Sequence, residues 1–189
     1  DGIQFWGQSF VAAPDGTVTI MFSDIEGSTR LWEQEPDRMR PAVACHDRVT
    51  RQAVERHRGR VVKSTGDGIH AVFDDAADAV AAALHLQLTL ADPAATAGLE
   101  LRLRCGLHVG ADEYRDGDFY GPAVNRAARI MSVAHGGQTL LSQAIADSVG
   151  ERMPPGATRR DLGHVRLRDL TSPERVYQLE HARLRAQFP

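Results

Sequence analysis

Between Thr17 and Val109 the sequence changes its hydrophobic period repeatedly, and the order of those changes admits few folds. Thr17-Val18-Thr19-Ile20-Met21-Phe22-Ser23 is β-branched and alternating, which is the pattern of a half-buried strand. From about Pro36 to Arg58 the apolar residues Met39, Val43, Val49, Ala53 and Val54 recur at helical spacing, and Gly59 ends the run. Arg60–Lys63 and Ile69–Phe73 then read as two short strands joined by Ser64-Thr65-Gly66-Asp67-Gly68, a glycine-bearing hairpin turn. Asp74 or Asp75 caps a second helix that runs to about Leu90. A loop from Ala91 to Gly98 leads to a strand from Leu99 to Val109. The order β-α-β-β-α-β predicts a ferredoxin-like core, with two helices on one face of an antiparallel sheet.

Past Gly110 lies a polar stretch, Ala111 to Gly117, a candidate dimer arm of undefined structure. Pro122 suits the first turn of a helix reaching about Ala134, on which Asn125 and Arg129, four apart, share a face. A strand near Gln138–Leu141, a short helix near Ser142–Val149 and strands near Thr158–Leu167 and Arg175–Leu179 complete a C-terminal α/β extension. The class is therefore α+β. At 189 residues the chain suits one domain, over residues 16–182, with tails at 1–15 and 183–189. A net charge of -3 argues against a nucleic-acid partner. Cys45 and Cys105, with no CxxC spacing, support neither a disulfide framework nor a thiolate metal site, and point to a reducing, cytoplasmic setting. The longest apolar run, Ala76 to Ala91, is too short and too polar to cross a bilayer, so no membrane contact is expected within this chain.

Among the 22 basic side chains, Lys63 is the only lysine. An ammonium is a compact point donor and a guanidinium a planar fork, so Lys63 is a candidate specificity contact. Asp24 at a strand end and Asp67 at a hairpin tip fall on neighbouring parts of a ferredoxin-like sheet. Two such carboxylates can hold divalent Mg2+ or Mn2+ for a displacement at phosphorus, though either could merely serve a turn. Gly27, Ser28 and Thr29 add backbone N–H groups at a helix start, which suits phosphate oxygens and equally suits a plain helix N-terminus. Asn125 and Arg129 offer an amide for a sugar and a guanidinium for phosphoryl charge. No GxxxxGK[ST] or strand-following GxGxxG occurs, and His46, His57, His70 and His108 read as packing or surface residues.

Taken together and in order, the segments 22–29 (Phe-Ser-Asp-Ile-Glu-Gly-Ser-Thr), 63–68 (Lys-Ser-Thr-Gly-Asp-Gly) and 118–129, from Asp118-Phe119-Tyr120-Gly121-Pro122 to Asn125 and Arg129, closely resemble the catalytic domain of class III nucleotidyl cyclases, in particular the actinobacterial style. The resemblance spans about Thr17 to Leu179. It implies a homodimer whose active sites are each built from two chains. It implies that Asp24, Asp67 and the Ile25 carbonyl bind two ions, Mg2+ or Mn2+. It also implies that Lys63 and Asp118 select adenine, Asn125 orients ribose and Arg129 stabilises the transition state. The reaction expected is ATP to 3',5'-cyclic AMP and pyrophosphate. One departure is the triphosphate-binding Lys of the family, for which Arg168 is the best match and Arg166 the competitor. A diguanylate cyclase is the second enzyme reading, but its GG[DE]EF hairpin does not fit residues 64–68. A nucleotide-sensing module without turnover is the third.

Overall fold

The computed structural model describes residues 16–189; the expected tail at 1–15 lies outside them. Strand β1 (Thr17–Ile25) is the centre from which the sheet is built. It pairs antiparallel with β3 (Gly68–Phe73) on one side and β4 (Leu103–Ala111) on the other. With β2 (Arg60–Ser64) outside β3, the first four strands stand in the order β2-β3-β1-β4, the ferredoxin-like arrangement. The extension continues the same sheet. β7 (Thr139–Ser142) pairs parallel with β4, then β9 (Glu174–His181) and β8 (Ala157–Val165) follow antiparallel, giving seven strands.

Helices α2 (Pro36–Arg56), α3 (Ala76–Leu90) and α5 (Gln143–Val149) cover one face. Alternate residues of the central strands, among them Met21, Ile25, Ala71, Phe73 and Leu107, meet them in the main core. Asp75 caps α3 by accepting from the Ala77 N–H at 2.9 Å, as one of the two sequence-based alternatives has it. On the other face a smaller cluster joins Val18, Ile20 and Val72 to Phe119 and to α4 (Pro122–Ser132) through Ala123 and Ala127. Gly106 makes that approach possible, since a Cβ there would lie 2.3 Å from the Met131 nitrogen. The rest of this second face, over β2, β3 and β1, is an open face left to the site residues.

Three sequence-based expectations are corrected or completed by the structure. The strand expected from Leu99 enters the ladder only at Leu103; Leu99 and Leu101 are buried, so their alternation is real, but it belongs to a connection packed against the core. The helix start expected at Gly27-Ser28-Thr29 opens a separate short helix ahead of α2, α1 (Ser28–Gln34), none of whose side chains is fully buried, so its length carries little periodic signal. The polar stretch from Ala111 is structured too: β5 (Glu113–Arg115) and β6 (Asp118–Tyr120) form a hairpin over Asp116-Gly117, both at positive φ. No helix among the described residues is long and apolar enough to cross a membrane.

Candidate active site

Asp24 is the last polar residue of β1 and follows Val18, Ile20 and Phe22 at spacing two, which places it on the open face. Its strand neighbours are Gly68 on β3 and Arg104 on β4. A side chain at position 68 cannot be accommodated, because a Cβ would lie 1.8 Å from the Ser23 carbonyl oxygen. The second glycine of Gly66-Asp67-Gly68 thus lets the hairpin tip close on β1, where the Ile25 N–H donates to the Asp67 carbonyl at 3.1 Å. That contact brings the two predicted carboxylates to the same corner.

Neither carboxylate stands alone. The Arg104 guanidinium grips Asp24 with two bonds, Nε to Oδ1 at 2.7 Å and Nη2 to Oδ2 at 2.5 Å, and these bonds raise the arginine's pKa further. The Ser28 hydroxyl donates to Asp67 Oδ2. Ser28 thus meets the site through its side chain, while Gly27 and Thr29 are exposed beside it. Sequence reasoning missed Arg104, since only the antiparallel register of β1 and β4 sets it opposite Asp24. The two carboxylates are hard oxygen donors of the kind Mg2+ and Mn2+ take, and the described residues gather no third acidic, His or Cys ligand there. Such a pair fits an ion whose remaining positions are filled by water or phosphate.

Lys63 reaches the open face through a defect in the sheet. The register runs Val61↔Ala71 and then Lys63↔His70, so Val62 is an extra residue, a β-bulge. Val61 packs into the main core, whereas Val62 packs into the open-face cluster and Lys63 faces the same way. There its Nζ donates to Asp118 Oδ2 at 2.5 Å. The other carboxylate oxygen, Oδ1, accepts the Phe119 N–H at 2.8 Å. Burial acts to raise the pKa of Asp118, but the bond from Lys63, the Phe119 N–H and the Lys63 charge outweigh it, and the pKa is lowered. Beneath the pair lies His70, which sequence reading had assigned to packing or surface. It is fully buried, stacked on Phe22, with Nδ1 3.5 Å from Asp118 Oδ1.

Asn125 and Arg129 project from α4 away from its buried stripe of Ala123, Ala127 and Ile130. The N-terminus of α4 is capped from a distance: the Asp112 carboxylate accepts the N–H groups of Ala123 and Val124, at 3.0 and 2.6 Å. Arg129 Nη2 donates to Asp169 Oδ2 at 2.8 Å, and the Nε of Arg168 is 3.6 Å from the same oxygen. The Arg168 side chain is 83% exposed, and Arg166 is exposed as well. Three clusters result: Asp24 and Asp67 with Arg104 and Ser28, Lys63 with Asp118 and His70, and Arg129 with Arg168 and Asp169. The clefts lined by Gln87, Leu90 and Arg102 and by His57, His85 and Pro154 contain none of these residues.

Comparison with known proteins gives a consistent picture. A model of the adenylate and guanylate cyclase catalytic domain matches residues 10–181. An uncharacterised protein of Mycobacterium tuberculosis is 43% identical over 178 residues, covering 93% of this chain and 60% of the relative, so the chain spans about three-fifths of that protein's length. A solved structure of an adenylate cyclase from Trypanosoma brucei, described in its monomeric state, superposes with a TM-score of 0.84 at 30% identity and covers 94% of each chain. The guanylate cyclase domain of a Catenaria anguillulae protein, solved with GTP, shares the fold with a TM-score of 0.75 at 19% identity, covering 88% of this chain and 97% of the other.

Proposed function

Because the chain belongs to the adenylate and guanylate cyclase catalytic domain family, we propose that it is an adenylate cyclase, converting ATP to 3',5'-cyclic AMP and pyrophosphate at sites shared between two copies of the chain. The observation that carries the choice of ATP is the Lys63–Asp118 pair. Lys63 supplies only donors and ionised Asp118 only acceptors. Adenine presents the complement, an acceptor at N1 beside a donating 6-amino group, whereas guanine presents an N1–H donor beside an oxygen. Lys63 would leave Asp118 Oδ2 for N1, and Oδ2 would take the amino group.

Asp24 and Asp67, with the Ile25 carbonyl, would hold two divalent ions, Mg2+ or Mn2+, once Arg104 releases Asp24. When bound, such ions lower the pKa of the ribose 3'-hydroxyl and neutralise phosphate charge. Asn125 holds the ribose so that its 3'-oxygen lies in line with the α-phosphorus. The new bond forms from that oxygen to phosphorus as the bond to the pyrophosphate oxygen breaks, and Arg129 turns from Asp169 to meet the charge that develops. Arg168, exposed beside it, is placed to take the triphosphate, with Arg166 the alternative; Gly27, Ser28 and Thr29 flank the same corner as Asp67. No side chain is assigned as general base, and the 3'-hydroxyl proton passes to solvent water. On one chain these groups lie on an open face, which supports completion of the site by a second copy.

The test is direct. Purified protein with Mn2+ or Mg2+ and either ATP or GTP, analysed by chromatography of the products, should give cyclic AMP from ATP alone, and Asp67→Ala should abolish it. Cyclic GMP as the main product would overturn the choice of base; tight nucleotide binding with no cyclic product would favour a sensing module.

A further inference from the structure

The imidazole of His70 has no exposed surface, and neither ring nitrogen has a hydrogen-bond partner among the described residues. It lies flat against Phe22, with centroids 4.6 Å apart and planes at 13°, and edge-on to Phe119 at 6.3 Å. Burial, opposed by Asp118 and assisted by the Lys63 and Arg60 charges, lowers its pKa to about 4, so the ring is neutral near pH 7. An unpaired polar group in such a place is costly, and an aliphatic side chain would fill the gap between two phenyl rings without that cost. Asp118 Oδ1 lies 3.5 Å from Nδ1, a small shift from a hydrogen bond.

Resting on the reading of Lys63 and Asp118 as the base pocket, we propose that His70 is a positioning residue for nucleobase recognition: when Lys63 turns from Asp118 to the base, His70 Nδ1–H donates to Asp118 Oδ1 and holds the carboxylate with Oδ2 facing the 6-amino group. Asp118 loses its cationic partner at the moment it must aim most accurately. A second cation beneath it would repel Lys63 and compete for the acceptor. A neutral N–H avoids both, sharing Oδ1 with the Phe119 N–H and leaving Oδ2 free.

The experiment compares ATP with purine riboside 5'-triphosphate, which lacks the 6-amino group. Replacing His70 by leucine should lower kcat/KM for ATP about tenfold, the effect of one lost hydrogen bond, while changing kcat/KM for the analogue less than twofold. His70→Asn, whose amide nitrogen can stand near the Nδ1 position, should restore the preference for ATP. Equal losses on both substrates would show a merely structural role and overturn the proposal. Asp118→Ala separates the two levels: if it removes the preference and His70→Leu does not, the proposal alone fails, and if it leaves the preference intact, the base-pocket reading fails with it. Should the leucine variant not fold, 15N NMR of the wild-type protein with a non-cyclising ATP analogue decides, the Nδ1–H neutral tautomer of His70 upholding the proposal and the Nε2–H tautomer overturning it.

Discussion

His108 shows how one buried side chain ties the fold to pH. It is 7% exposed, its Nδ1 lies 2.9 Å from the Ser142 hydroxyl, and burial together with the Arg126 charge lowers its pKa to about 4. The unfolded chain, with an ordinary histidine pKa near 6.5, binds the proton first as pH falls. Stability from this group is therefore complete above about pH 6.5 and declines as pH drops towards 4, by on the order of 2 kcal/mol between pH 7 and 5. Urea denaturation at those two pH values should show the decline, and His108→Leu should flatten it by about that amount. The six residues central to the proposed chemistry, Asp24, Asp67, Lys63, Asp118, Asn125 and Arg129, could be singled out because they fall in three segments that, together and in order, resemble the motifs of a family. Arg104, Asp112 and His70 could not. Each acts on a residue far away in sequence, through strand register or a loop crossing, and a linear pattern holds no record of that.

Among the elements, α4 depends on a remote partner for its N-cap. Its own N-cap position, Gly121, offers no side chain, and Asp112 serves in its place. Asp112→Ala should lower stability by about 1 kcal/mol, the usual cost of a lost cap, measured as a shift of the urea midpoint. It should lower turnover as well, because Asn125 in its first turn and Arg129 in its last both ride on that helix. The βαββαβ core could be read because its strands and long helices bury a periodic face. The start of α1 could be read from Gly27-Ser28-Thr29, but its length could not, because none of its side chains is fully buried and only Pro36 marks its far limit. The β5–β6 hairpin had a signal that composition obscured: Asp116-Gly117 is a two-residue turn pair, with φ of 53° and 84°, set among polar residues.

At the scale of the whole molecule, the proposal of shared sites makes a demand that one chain cannot meet. Asp24→Ala and Arg129→Ala proteins, each inactive alone, should regain about a quarter of wild-type activity when mixed in equal amounts, since half the dimers are mixed and each has one intact site of two. Mixtures that stay inactive despite demonstrated heterodimers would exclude site sharing. The seven-stranded sheet holds the parts in place, and its outermost strand on the ferredoxin-like side carries Lys63. That lysine faces Asp118 only because Val62 is one residue too many for the ladder. Were Val62 instead paired into the ladder, strict alternation would turn the ammonium towards the helices and leave the carboxylate unanswered. The proposed substrate choice is thus spelled partly in chain length: a variant with one residue inserted between Val62 and Lys63 would retain every residue named in this site, pass any search for its motifs, and turn its ammonium away from Asp118.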